Sequence, residues 1–167
     1  MRRFSVGYLE NARRGLWENR DSLASLDLPG RTRVLDVGCG SGEFTRVLRG
    51  GSDATVVGVD ADRSLLSGVD ADARALGDAT RLPFRDDSFD LVVCQALLVN
   101  LPDPAAAIAE FARVSSELVA AIEPDNAGVA VESTVEAETR LARRARQAYI
   151  AGLGTDVTLG DASDLFE

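Results

Sequence analysis

The stretch Val34-Leu35-Asp36-Val37-Gly38-Cys39-Gly40-Ser41-Gly42-Glu43 constrains the fold of this chain more than any other. A short β-rich run ends in glycines at alternate positions, and a helix-like segment begins at once. Alternate glycines let the backbone turn sharply and leave no side chains between it and a ligand. The helix that follows starts with N–H groups that have no partner inside the helix. Strand, bare turn and helix N-terminus together read as the site of a nucleotide-type cofactor.

The surrounding pattern repeats this unit. Arg33–Val37 is predicted as the first strand and Glu43–Arg49 as the first helix, closed by Gly50-Gly51. Ala54–Val59 follows as a second strand with Asp60 at its carboxyl end, then a helix over Arg63–Val69. Ala73–Leu76 reads as a weak third strand running into Gly77-Asp78-Ala79. Phe89–Gln95 is nearly continuous in apolar residues, as in a strand buried on both faces. A helix over Pro104–Ser115, capped by Asp103, leads into a fifth strand, Glu117–Glu123. An interrupted helix is predicted over Val6–Leu26, ended by Leu28-Pro29-Gly30, and a charged helix over Ser133–Tyr149. The expected organisation is an N-terminal helical segment, 1–30, on a single α/β domain, 31–167. Alternating strands and helices imply a parallel sheet with right-handed crossovers. Such sheets bind ligands at the carboxyl ends of their strands, where Gly38–Gly42, Asp60, Asp78 and Gln95 fall.

Composition narrows the partners. The net charge is −9, all 18 basic residues are arginine, and 17 of the 27 acids are aspartate. A salt-rich cytoplasm would favour such an acidic, lysine-free surface, and a GC-rich genome would also favour arginine over lysine. The charge argues against a nucleic-acid partner, which calls for a basic face. No apolar run reaches the roughly 18 residues of a membrane span, and no signal-peptide core precedes the charges at Glu10, Arg13 and Arg14, so a cytoplasmic chain is expected. Two cysteines, Cys39 and Cys94, without any histidine do not supply a zinc site, and no metal is expected. Any general base must then be a carboxylate, tyrosine, cysteine or water.

The loop discriminates between cofactors. A dinucleotide fingerprint needs G-x-G-x-x-G, but Glu43 and Thr45 occupy the two positions where the third glycine would fall. Glu43 and Asp36 also place negative charge where phosphates would sit, which favours a ligand carrying an ammonium or sulfonium. Asp60 is suited to accept both ribose hydroxyls. Asp78 could accept from an exocyclic amine, Ala79 could offer its N–H to a ring, and Ala61 and Leu82 could sandwich a purine. Each has a plainer reading: Asp36 as a cap of the glycine turn, Asp60 as a helix N-cap, Asp78 as a turn residue, Gln95 as a partner for backbone groups. Phe84, Trp17 and Tyr8 read as packing residues before site residues.

Asp36-Val37-Gly38-Cys39-Gly40-Ser41-Gly42 resembles motif I of the class I S-adenosylmethionine-dependent methyltransferases. The resemblance continues through Val57-Gly58-Val59-Asp60, Gly77-Asp78-Ala79-Thr80-Arg81-Leu82-Pro83-Phe84, Ser88-Phe89-Asp90-Leu91-Val92-Val93 and Leu101-Pro102-Asp103-Pro104, covering about residues 31–123. It implies a Rossmann-like, doubly wound, mostly parallel sheet of order 3-2-1-4-5 with helices on both faces. The implied cofactor is S-adenosyl-L-methionine. Gly38, Cys39, Gly40, Gly42 and the helix start would line its methionine part, and Asp36 would orient the loop or its amino group. Asp60 would hold the ribose, Asp78 with Ala79 the adenine, with Ala61 beside the purine, and Gln95 would face the transferred methyl.

The segment Cys94–Pro102 lacks the Asn-Pro-Pro-Tyr type of motif of amino-methylating DNA and RNA enzymes, so the resemblance implies a small-molecule acceptor. Asn100 stands where many relatives of that branch carry histidine. Asp103 and Glu123 are the carboxylates open as bases. Relatives usually add two strands after the helix that follows strand 5, and the sequence is expected to lack them. Strand 5 would then be an edge for a second copy, a partner chain or the Thr155–Phe166 tail to cover. Three activities stay open: a small-molecule methyltransferase, a cofactor-binding but inactive partner or truncated form, and an NAD(P)-linked oxidoreductase.

Overall fold

A computed structural model describes Trp17 and residues 20–123. Its centre is a five-stranded, all-parallel sheet of order β3-β2-β1-β4-β5. The strands are β1 (Arg33–Val37), β2 (Thr55–Asp60), β3 (Ala73–Leu76), β4 (Phe89–Gln95) and β5 (Ser115–Ile122). The helices are α1 (Glu43–Gly51), α2 (Arg63–Leu66) and α3 (Pro104–Val114). Sheet order and helix placement agree with the sequence expectation, and β1, β3 and β4 have the expected bounds.

Strand alternation sorts the apolar side chains onto two faces. Leu35, Val37, Val59, Val92 and Cys94 pack with Ala107, Phe111 and Val114 of α3. Val34, Val56, Leu91 and Val93 pack with Phe44, Val47 and Leu48 of α1 and with Leu23, Leu26 and Leu28. Because β1 and β4 are covered on both sides, their only buried polar residues are Asp36 and Gln95, with Arg33 and Asp90 at the strand starts. Between these two strands the chain reverses its winding, and there the sheet opens a crevice at its carboxyl edge.

Several boundaries differ from expectation. Helix α1 runs two residues past the expected Arg49, with Gly50 and Gly51 as its last residues and Ser52 as its C-cap. A side chain at Gly51 would meet Leu28 Cδ1 at 2.8 Å, so this glycine serves close packing against the segment before β1. Helix α2 stops at Leu66, where Ser67 Oγ turns back to donate to the Ser64 carbonyl, 3.1 Å. Strand β5 starts at Ser115, directly after α3 with no loop between them. Within the described part of the Val6–Leu26 segment, Asp21–Leu26 is a 3-10 helix, ended by Asp27 at φ 47°. Leu28–Gly30 forms a second 3-10 turn. The rest of that segment, Tyr8, the Ser133–Tyr149 helix, the Thr155–Phe166 tail and the question of further strands lie outside the described residues. Among the described residues β3 and β5 are the outer strands, and none of their helices is long and apolar enough to cross a membrane.

The β5 side of the sheet depends on Phe111, which is fully buried. Phe111→Ala should lower stability by about 3–5 kcal/mol. In urea denaturation the midpoint should fall with little change in slope. A loss below about 1 kcal/mol would contradict the packing described.

Candidate functional site

The glycine turn is held by the end of β2. Gly38 N and Cys39 N both donate to the Val59 carbonyl, at 2.8 and 3.1 Å. Gly40 N donates to Asp60 Oδ2 at 2.9 Å. Gly38, Gly40 and Gly42 have φ of 71°, 55° and 82°, a region open to glycine with little strain. Gly42 is the N-cap of α1.

The turn borders a cleft at the carboxyl edge of the sheet. Val37 and Gly38 line it from β1, and Val59, Asp60 and Ala61 from β2. Gly77, Asp78 and Ala79 line it after β3, and Leu97 and Leu101 after β4. Five of the expected cofactor residues therefore converge: Gly38, Asp60, Ala61, Asp78 and Ala79. The lining holds two carboxylates and no cationic side chain. That donor set suits hydroxyl and amine groups and would repel a pyrophosphate.

Asp60 is 7% exposed and employs both oxygens: Oδ2 accepts from Gly40 N, and Oδ1 accepts from Asp62 N at 2.8 Å. Each oxygen keeps capacity for a second donor. The N-cap of α2 is Asp62, which accepts from Ser64 N at 2.9 Å, so the capping reading of Asp60 is replaced by its neighbour. Asp78 Oδ1 accepts from Thr80 N and Thr80 Oγ1 at 2.9 and 2.8 Å. The Thr80 backbone bond and then its hydroxyl hold the Asp78 carboxyl below its ordinary range. The turn reading of Asp78 thus coexists with its place in the cleft.

The other expected residues stand around the cleft without lining it. Asp36 is 1% exposed, and its Oδ2 accepts from Thr45 Oγ1 at 2.6 Å, tying β1 to the first turn of α1. Cys39 packs with Leu66 and Val69. A side chain at Gly42 would strike Val69 at 2.9 Å. Gln95 is 7% exposed, and its Oε1 is buried with no hydrogen-bond partner. Such an oxygen is rare in a settled fold.

Both carboxylates open as bases have structural duties. Asp103 is exposed and caps α3, its Oδ1 accepting from Ala106 N at 2.9 Å. Glu123 Oε1 accepts from Leu97 N and Leu98 N at 2.8 and 2.9 Å, and Cys94 Sγ donates to it at 3.7 Å. Leu82 is core: its N–H donates to Glu110, and its carbonyl accepts from Arg113, which also holds the Phe84 carbonyl. Phe84 sits edge-on to Phe89, and Trp17 stacks on Phe44 with centroids 4.6 Å apart, so both pack as expected.

Sequence reasoning missed Thr45, Leu97 and Leu101. Thr45 lies in the first helical turn after the glycines, and its place beneath Asp36 was a readable signal. The two leucines carry no such signal, because only the turn after β4 aims them at the cleft.

Residues 35–117 match the family described as a methyltransferase domain. The chain is 41% identical over 99 residues to the ubiquinone biosynthesis O-methyltransferase of Hahella chejuensis, a match covering 53% of this chain and 40% of that one. It is 37% identical over 111 residues to the 2-phytyl-1,4-naphtoquinone methyltransferase of Synechococcus elongatus, covering 59% and 47%. Less than half of either relative's own length is spanned. Among solved structures, an S-adenosylmethionine-dependent methyltransferase of Mesorhizobium loti superposes with a TM-score of 0.51 at 25% identity, covering 61% of this chain and 51% of that one.

Burial pushes the Glu123 carboxyl above its ordinary range, against the opposing pull of the Leu98 and Leu97 N–H groups. A raised native value favours folding in acid, and that contribution is lost as pH rises through it. Glu123→Gln removes the titration. Its stability relative to wild type should therefore improve as pH rises above the ordinary glutamate range of about 4.3. A difference that stays flat over that rise in chemical denaturation would remove Glu123 from the titrating groups of the fold.

Proposed function

Residues 35–117 belong to the methyltransferase-domain family, and from that premise we propose that this chain binds S-adenosylmethionine in the cleft and catalyses methyl transfer to a small molecule. The observation that carries the reading is the charge of the cleft. Asp60 and Asp78 line it beside a bare Gly38, with no arginine among the lining residues. This set matches a ribose, an amino-purine and a cationic amino-acid end. The same feature disfavours the NAD(P)-linked alternative, whose pyrophosphate would face carboxylates without a counter-charge.

In this reading Asp60 accepts the ribose hydroxyls with the lone pairs left beside Gly40 N and Asp62 N. Asp78 and the Ala79 N–H fix the adenine, and Leu97 and Leu101 exclude water from the cleft. Gly38 and Gly40 bring the bare turn against the methionine part, and Cys39 and Gly42 support it through their packing. Asp36 orients that turn from beneath through Thr45, and Gln95 Oε1 takes a donor at the β4 end. When bound, the cofactor supplies a methyl group on a sulfonium, which is electrophilic already. The chain then has to align the acceptor and exclude water, which is catalysis by proximity. Neither Asp103 nor Glu123 is required as a base. The relatives named for quinone substrates make a quinone-type ring the acceptor to try first.

Calorimetric titration tests the cofactor half. S-adenosylhomocysteine should bind and NAD should not. Asp60→Ala should weaken that binding by roughly 1–3 kcal/mol, the range for polar groups left without a partner. Binding of NAD in preference, or unchanged affinity in Asp60→Ala, would overturn the assignment. Transfer of labelled methyl to quinone-type acceptors tests the other half. Cofactor binding without transfer to any acceptor would favour the inactive-partner alternative.

A further inference from the structure

We propose that Glu123 is a positioning residue: its carboxylate latches the turn that follows β4 and, through Leu97, sets the wall of the cleft opposite Gly38. The proposal rests on the cofactor reading of the cleft for its functional consequence, and on hydrogen-bond geometry for the latch itself.

The turn is unusual in three ways. Ala96, immediately after β4, has φ 50°, a left-handed conformation that side chains with a Cβ resist. Its N–H donates to the Ile122 carbonyl at 2.9 Å, so the chain leaves β4 still tied to β5. The next two N–H groups, of Leu97 and Leu98, both converge on Glu123 Oε1. One carboxylate oxygen thus gathers donors from a segment about 25 residues earlier in the chain. Asn100 completes the turn, its Nδ2 donating to the Ala96 carbonyl at 2.9 Å and its N–H to the Leu97 carbonyl at 2.8 Å.

What the latch aims is Leu97. This side chain lines the cleft and lies against the glycine turn: a Cβ built on Gly38 would meet Leu97 Cδ1 at 2.7 Å. Gly38 and Leu97 are therefore fitted to each other, and moving the turn would move the wall. Glu123 itself is not among the lining residues. Its Oε2 is buried, and the Val99 N–H also draws the carboxyl toward its charged form. Burying a carboxylate costs solvation and does not by itself help the fold. The role of Glu123 is the strained conformation it keeps in place, as is usual where surrounding structure over-determines an unfavourable dihedral.

The test uses the full chain and two readouts. Amide hydrogen exchange at Leu97 and Leu98 reads the latch, and S-adenosylhomocysteine affinity reads the wall. In Glu123→Leu, exchange at both amides should rise by about tenfold or more, with affinity weakened about fivefold or more. Glu123→Gln, which keeps an acceptor oxygen in place, should stay within about twofold of wild type on both. Adding Ala96→Gly to Glu123→Leu should recover most of the affinity, because glycine adopts the turn without strain, while changing the wild type by less than about twofold. Should Glu123→Leu fail to fold, Glu123→Asp carries the test. It withdraws the oxygen by one methylene and should speed exchange in the same way.

Normal exchange in these variants would overturn the latch, as would Glu123→Gln behaving like Glu123→Leu. Fast exchange with unchanged affinity would overturn the link to the cleft. A wild-type chain that fails to bind S-adenosylhomocysteine would overturn the cofactor reading, while the exchange measurement would still decide the latch.

Discussion

The attachment of the glycine turn to the end of β2 is the contact on which the rest of the site depends. Gly38 N and Cys39 N share the Val59 carbonyl, and Gly40 N reaches the Asp60 carboxylate. Gly38, Gly40 and Gly42, at alternate positions of this turn, all take positive φ, a region that most side chains resist. The turn is thus formed by glycine, but its position is fixed by Asp60. One residue both anchors the turn and lines the cleft. Carboxylate oxygens have the lone pairs to serve both.

Behind that contact, buried polar groups join the layers. Asp36, the sole charged residue of β1 facing the core, takes the Thr45 hydroxyl and so sets the start of α1 relative to the turn. On the opposite face, Glu110 and Arg113 of α3 hold the backbone of Leu82 and Phe84, the segment that follows the cleft residues Asp78 and Ala79. The apolar layers supply cohesion, and these few polar ties supply register. A hydrophobic layer alone tolerates sliding, whereas a buried hydrogen bond does not.

The order of elements was legible because its signals are local. The β4 run, Phe89–Gln95, reads as doubly buried from its nearly continuous apolar sequence, and the structure places it inside the sheet between β1 and β5. Asp103 reads as an N-cap and is one. The misreadings have physical causes. Helix α1 runs through Gly50 and Gly51, past its expected end at Arg49, and Leu28 packs on the small Gly51. Asp60 looks like a cap, but Asp62 lies one turn position nearer to α2. Cys39 follows β1 in sequence, yet it packs with Leu66 and Val69.

The sequence by itself determined the repeating strand–helix unit, the bare turn after β1 and the carboxylates that close β2 and follow β3. Each of these is a property of a few consecutive residues: periodicity, missing side chains, charge. Only the tertiary structure decided which groups meet across long separations. Gly40 with Asp60, Leu82 with Glu110, and Leu97 with Glu123 are pairings 20, 28 and 26 residues apart. Their distances depend on how the two faces of one sheet pack, and packing is a property of the whole layer and not of any segment within it.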